Sequence, residues 1–82
     1  MENKKVVIKW RDAKIYPGMH SETEALEREM ETFESLGYLL RQDNRATVIA
    51  HEITNTGDFR DVLLIPSGSV IAVEELVASS SV

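Results

Sequence analysis

With 82 residues, no cysteine and a formal net charge of −5, the chain reads as one small domain that no disulfide or thiolate-held zinc can staple. A domain of this size buries only about 60–65% of the surface its unfolded chain exposes, so association with further copies is the expected route to more buried area. The acidic balance, with a pI near 4.9, disfavours general attraction to nucleic-acid phosphate and favours neutral partners or partners bearing basic patches.

Met1-Glu2-Asn3-Lys4-Lys5 leads straight into an alternating segment. The apolar run of a signal peptide and the roughly 20 apolar residues of a membrane span are both missing there, which predicts a cytoplasmic protein. From Lys5 to Trp10, Val6, Ile8 and Trp10 fall on one face and Lys5, Val7 and Lys9 on the other, the pattern of a half-buried strand. Residues 11–20 have no period and contain Pro17-Gly18, a turn dipeptide, so Ile15, Tyr16 and Met19 sit in a loop. Ser21-Glu22-Thr23-Glu24 is a capping box that starts a short acidic helix, with Leu26, Met30 and Phe33 as its apolar stripe. Residues 31–36 fit either a continued helix or a strand. The preferred reading is a strand from Thr32 to Gln42, with Gly37 marking a bend or bulge.

Asp43-Asn44-Arg45 is a turn, Ala46 to Thr54 an alternating strand and Asn55 to Asp58 a loop, with Phe59 and Arg60 near its end. Two aliphatic β-branched runs follow, Val62 to Ile65 and Val70 to Val77, separated only by Pro66-Ser67-Gly68-Ser69, a sharp turn. Residues 1–77 therefore form one domain, and residues 78–82 are expected to fray as a tail. The expected class is mainly β (α+β): a small five-stranded antiparallel barrel of SH3-like or Sm-like type, with one short helix inserted after the first strand.

No catalytic pattern emerges. Five of the fourteen acidic residues crowd the segment from Glu22 to Glu31 and read as a solvated helix face rather than a carboxylate pair facing a cleft. His20 and His51 lack metal-ligand spacing, so no metal is expected. Ser67-Gly68-Ser69 lacks the strand–turn–helix elbow of a nucleophile, and the isolated glycines make no phosphate-cradling loop; neither an enzyme nor a cofactor is expected. What remains are flat and forked groups, since aromatic rings stack on nucleobases and arginine forks hold phosphate. Trp10 alternates with Val6 and Ile8 and reads as core or interface. Arg11, Tyr16, His20, Arg45, Phe59 and Arg60 are the ligand-binding candidates, with Arg11, Tyr16 and Arg60 favoured because they lie in predicted loops.

The run Ile65-Pro-Ser-Gly-Ser-Val-Ile, with Val73 and Leu76, resembles the closing strand pair of Sm-like proteins. Trp10-Arg11-Asp12, Ser35-Leu36-Gly37-Tyr38-Leu39 and the Ile-Pro-x-Gly turn resemble a group of small phage and prophage proteins. The helix follows the first strand here, whereas in Sm-like proteins it precedes all strands, so the Sm RNA site is not carried over. The phage resemblance implies a homo-oligomer in the bacterial host cytoplasm that blocks anti-phage defence as a sponge. Its ligand would be a nucleotide immune signal, a cyclic dinucleotide or an NAD-derived ring, held at subunit interfaces. Two other readings stay open: an acidic inhibitor that mimics nucleic acid toward a protein target, and an Sm-like RNA-binding module, which the net charge disfavours.

Overall fold

A computed structural model describes residues 3–77; the tail read at 78–82 lies outside the described residues. Five strands form one antiparallel sheet in the order β4-β3-β2-β1-β5. They are β1 (Lys5–Arg11), β2 (Thr32–Gln42), β3 (Ala46–Ile53), β4 (Phe59–Pro66) and β5 (Val70–Glu75), with one helix, α1 (Glu22–Glu27), between β1 and β2. Residues 31–36 resolve as strand from Thr32 onward. Phe59 and Arg60, read as loop, open β4 instead, opposite Ile53 and Glu52.

The edge strands β4 and β5 are joined only by a single 3₁₀ turn, Ser67–Ser69. Four residue steps span at most about 14 Å, while a flat five-stranded sheet sets its edges roughly 19 Å apart. The sheet must therefore curl. No ladder joins β4 to β5, however, so the sheet stays open and is not the closed barrel expected from the sequence. The curl gathers Val6, Ile8, Ile49 and Ile65 into one fully buried cluster, flanked by Trp10, Leu39, Leu63, Val70 and Val73. Trp10 belongs to this core: its Nε1 donates to Ser35 Oγ at 3.0 Å, and its ring stacks on Phe33 with centroids 5.0 Å apart.

Gly37 is a close-approach residue rather than a bulge. The β1–β2 ladder runs regularly through Val6 and Gly37, and the register shift in β2 falls between Leu39 and Arg41. A Cβ at Gly37 would sit 2.7 Å from the Ala50 carbonyl oxygen and 3.0 Å from Ile49 Cδ1. The β2–β3 turn is tied to the 3₁₀ turn. Asp43 Oδ1 accepts from the amides of Arg45 and Ala46 at 2.8 and 3.0 Å. Ser67 Oγ donates to the Asp43 carbonyl at 2.7 Å, and the Ser67 amide donates to the Arg45 carbonyl at 3.0 Å.

Two outcomes follow from this frame. Gly37→Ala forces β3 away from β2 and is expected to cost about 1–3 kcal/mol as overpacking, read as a lowered urea midpoint; an unchanged midpoint would show that β3 yields freely. The Ala46 and Arg45 amides, in that order, hold the Asp43 carboxyl below its ordinary pKa, with Arg41 adding to the effect. A depressed folded-state pKa stabilises the fold above the unfolded-state value, and this stabilisation is lost as pH falls through the folded value. Asp43→Asn, which keeps the accepting oxygen and removes the titration, should therefore flatten the acid limb of the stability–pH curve; an identical limb would exclude Asp43 as a contributor.

Candidate functional site

Between Arg11 and Thr32, which face each other across the last step of the β1–β2 ladder, the chain makes an arm that continues past the sheet. It includes α1 and holds no buried residue. Ser21 caps the helix as read, with the Glu24 amide donating to its Oγ at 3.1 Å. The helix stops at Glu27, so the predicted stripe of Leu26, Met30 and Phe33 is never assembled: Leu26 and Met30 face water, and Phe33 joins β2 beside Trp10. The physical reason is competition. Phe33 stacks on Trp10 only as a strand residue paired with it, and that contact pulls residues 32 onward into the ladder.

Tyr16 holds the arm together. Its hydroxyl donates to the Glu29 carbonyl at 2.7 Å, and the Lys14 ammonium and Arg28 guanidinium each lie 5.1 Å from its ring centroid. Lys14 also pairs with Glu31, which by hydrogen bonding raises the lysine pKa. His20 completes the set. Its Nε2 lies 3.1 and 3.2 Å from the Tyr16 and Pro17 carbonyls, and its Nδ1 lies 3.3 Å from Arg28 Nη2. One tautomer satisfies all three contacts: Nε2–H donates to the carbonyls and Nδ1 accepts from the guanidinium.

Two grooves flank the base of this arm. One, of about 470 Å³, is bordered by Arg11, Asp12, Met30, Ser69 and Ile71 among others; the other, of about 490 Å³, by Arg11, Arg28, Glu29, Met30 and Thr32. Arg11 and Met30 border both. Among the described residues neither Arg11 nor Arg28 has a carboxylate partner, the four ion pairs being Lys4–Glu75, Lys14–Glu31, Arg41–Asp43 and Arg60–Glu52. Asp12 and Glu29 bring opposite charge to the two rims, although one Asp12 oxygen already accepts from the Ala13 amide at 2.8 Å.

Of the six sequence-predicted ligand residues, Arg11 borders both grooves, while Tyr16 and His20 border neither and instead contact Arg28 in ordering the arm. Arg45 lies in the β2–β3 turn, tied through its carbonyl to the 3₁₀ turn. Phe59 and Arg60 lie on β4, where Arg60 pairs with Glu52, which raises the guanidinium pKa. Neither is among the residues bordering the arm-base grooves. Sequence reasoning missed Arg28, Met30, Thr32 and Ser69. Arg28 carried a signal, as the single cation within the acidic run from Glu22 to Glu31.

Among the described residues no three His, Cys, Asp or Glu side chains gather to hold a metal, and no helix is long and apolar enough to cross a membrane. Tyr16→Phe removes the bond to Glu29 but keeps the ring. The arm amides from Lys14 to Glu29 should then exchange with deuterium faster by roughly fivefold or more, the equivalent of one lost hydrogen bond of about 1 kcal/mol, while β1 and β3 stay protected. Equal exchange in the arm would remove Tyr16 from this role.

No family model, curated protein or solved structure matches this chain.

Proposed function

We propose that the chain is a non-enzymatic, oligomeric binding protein built on an incompletely closed SH3-like or Sm-like barrel, which holds a nucleotide-class anion at the base of its arm. The observation that carries this reading is the placement of Arg11 and Arg28. Both lack a carboxylate partner among the described residues, and both border one groove of about 490 Å³, within the size range of small-molecule sites. Guanidinium forks suit phosphate oxygens, and two of them suit a ligand with more than one phosphate. Asp12 and Glu29 oppose a dense polyanion, yet they are acceptors for sugar hydroxyls and base N–H groups. Phosphate and polar ring in one molecule is the composition of a cyclic dinucleotide or an NAD-derived ring. Sequestration of such a signal, as in the phage sponges this chain resembles, is the role proposed.

Titration calorimetry and native mass spectrometry against a panel of cyclic dinucleotides and cyclic ADP-ribose test the reading. Arg11→Ala and Arg28→Ala should each weaken binding by roughly 10- to 100-fold, as expected for loss of a charged hydrogen bond. Arg60→Ala, on the far strand, should leave it unchanged. No uptake of any panel member, or full affinity in the Arg11 variant, would overturn the assignment.

A further inference from the structure

The chain is drawn out well beyond a compact fold. Its radius of gyration is 16.8 Å and its longest extent 54 Å, where a compact chain of this length has a radius near 12 Å. Its accessible surface is 6741 Å², whereas a folded monomer of this mass exposes roughly 4,900 Å². The surplus, roughly 1,800 Å², is of the order that one subunit loses in an obligate interface. Several of the most exposed large apolar side chains lie on two surfaces: the arm, and the outer face of the sheet.

The arm is a ridge of exposed apolar side chains in an acidic frame. Met19 is 100% exposed, Ile15 88% and Leu26 79%. Residues 12–31 hold six carboxylates against two cations, so nearly all of the net charge of −5 resides there. A six-residue helix with no buried residue is too short to be stable in water by itself, which calls for a surface to cover it.

The outer face has the opposite character. The register that turns Val6, Ile8, Ile49 and Ile65 inward turns Lys5, Val7 and Lys9 of β1, Leu36 and Tyr38 of β2, and Val62 and Leu64 of β4 outward. Leu64 is 61% exposed, Leu36 57% and Val62 47%. Around this apolar stripe stand Lys5, Lys9, Arg11, Arg41 and Arg60, against the carboxylates of Glu34, Glu52 and Glu74 and the Asp43 that pairs with Arg41, an excess of one positive charge. An apolar ridge framed by acid thus exists on the same chain as an apolar stripe with a basic excess. The arm leads away from the sheet beyond the Arg11–Thr32 pair.

We infer that the arm of one copy docks through Ile15, Met19 and Leu26 on the outer sheet face of a second copy, over Leu36, Val62 and Leu64. Charge selects this arrangement. Two arms packed on each other would bring six carboxylates against six, a like-charge contact that opposes association. Arm on sheet sets the acidic frame against the basic excess and covers both apolar surfaces at once. The contact residues Ile15, Met19, Leu26, Leu36, Val62 and Leu64 border neither arm-base groove.

Complementation between two variants of the intact chain tests it without ligand. An arm variant, Met19→Glu/Leu26→Glu, keeps a whole outer face; a face variant, Leu36→Glu/Leu64→Glu, keeps a whole arm. All four positions are exposed, so circular dichroism should match the unaltered chain. Should the face pair unfold, Lys5→Glu/Lys9→Glu takes its place. By native mass spectrometry at about 100 µM, where mass action favours association, the unaltered chain should be a dimer or larger. Each variant alone should self-associate roughly 30-fold or more weakly, as for lost interface anchors. Their mixture should form a 1:1 heterodimer through the one intact arm–face pair. A monomeric unaltered chain would leave the arm to a foreign basic surface and overturn the inference. So would an arm variant of undiminished mass, as pairing of the free sheet edges would give, or a mixture that stays monomeric.

Discussion

The fold depends on the shortness of the connection between β4 and β5. These are the two edges of the sheet, and the single 3₁₀ turn Ser67–Ser69 joins them, so the whole sheet has to curl until its edges approach at that point. Curling is what lets so small a chain have a core. It brings Ile65 of one edge strand and Val73 of the other over Val6, Ile8 and Ile49, giving a single dry cluster. The same turn is tied to the β2–β3 turn through Ser67 and Asp43, so one end of the curl is fixed by hydrogen bonds as well as by chain length. Gly37 allows β2 to press on β3 at the opposite side of the curl.

Among the described residues that core has four fully buried large side chains, with Ala46, Thr47, Val48 and Ala50 of β3 buried beside it. At about 25 cal/mol per Å² of apolar area, side chains such as Met19, Leu26 and Leu64 left in water represent stabilisation that this copy alone does not realise. A strand such as Val62-Leu63-Leu64-Ile65, apolar on both faces, has the composition of one buried on both sides. In the single chain one of those faces is open. The docking inferred above would cover both of these apolar surfaces, and the uneven charge, concentrated in residues 12–31, would then set how copies meet.

The regular parts of this structure were legible because β-branched alternation leaves little choice. β1, β3 and the β4–turn–β5 segment follow from Val, Ile and Thr at period two and from Pro66. The strand from Thr32 was read correctly and includes Phe33, which stacks on Trp10, but the apolar stripe through Leu26 and Met30 carried the helix past its actual end at Glu27. The start of β4 was missed because Phe59-Arg60-Asp61 has only one apolar residue, and its pairing with Ile53 and Glu52 is a long-range fact. Of the site, Arg11, Tyr16 and His20 could be grouped from their place in one loop. Arg28 was hidden among glutamates, and Ser69 reaches the groove because β5 pairs with β1, Val70 opposite Trp10, which sets the 3₁₀ turn beside the end of β1. Openness of the sheet was not legible at all, since strand order alone does not decide whether β4 and β5 exchange hydrogen bonds.

Open edges carry a hazard that this chain limits by local means. Val62–Ile65 and Val70–Val73 are short, aliphatic and uncharged, the composition that pairs indiscriminately with other strands. On β4 the hazard is bracketed. Asp61 has a φ of 59°, a left-handed conformation uncommon for a residue with a Cβ, which interrupts the strand's outer row of donors just before Val62. Pro66, paired with Ala46, ends the row with a residue that has no N–H to give. On β5 the run passes directly into Glu74 and Glu75, whose charges oppose stacking of like strands. Between Asp61 and Pro66, β4 presents only the four residues Val62–Ile65 as an uninterrupted apolar run. The broad apolar areas, on the arm and on the outer face, are framed instead by opposite charge excesses. Under the docking inferred above, strand-edge pairing is opposed by these local devices, and contact between the framed areas is the route by which charge would select the partner.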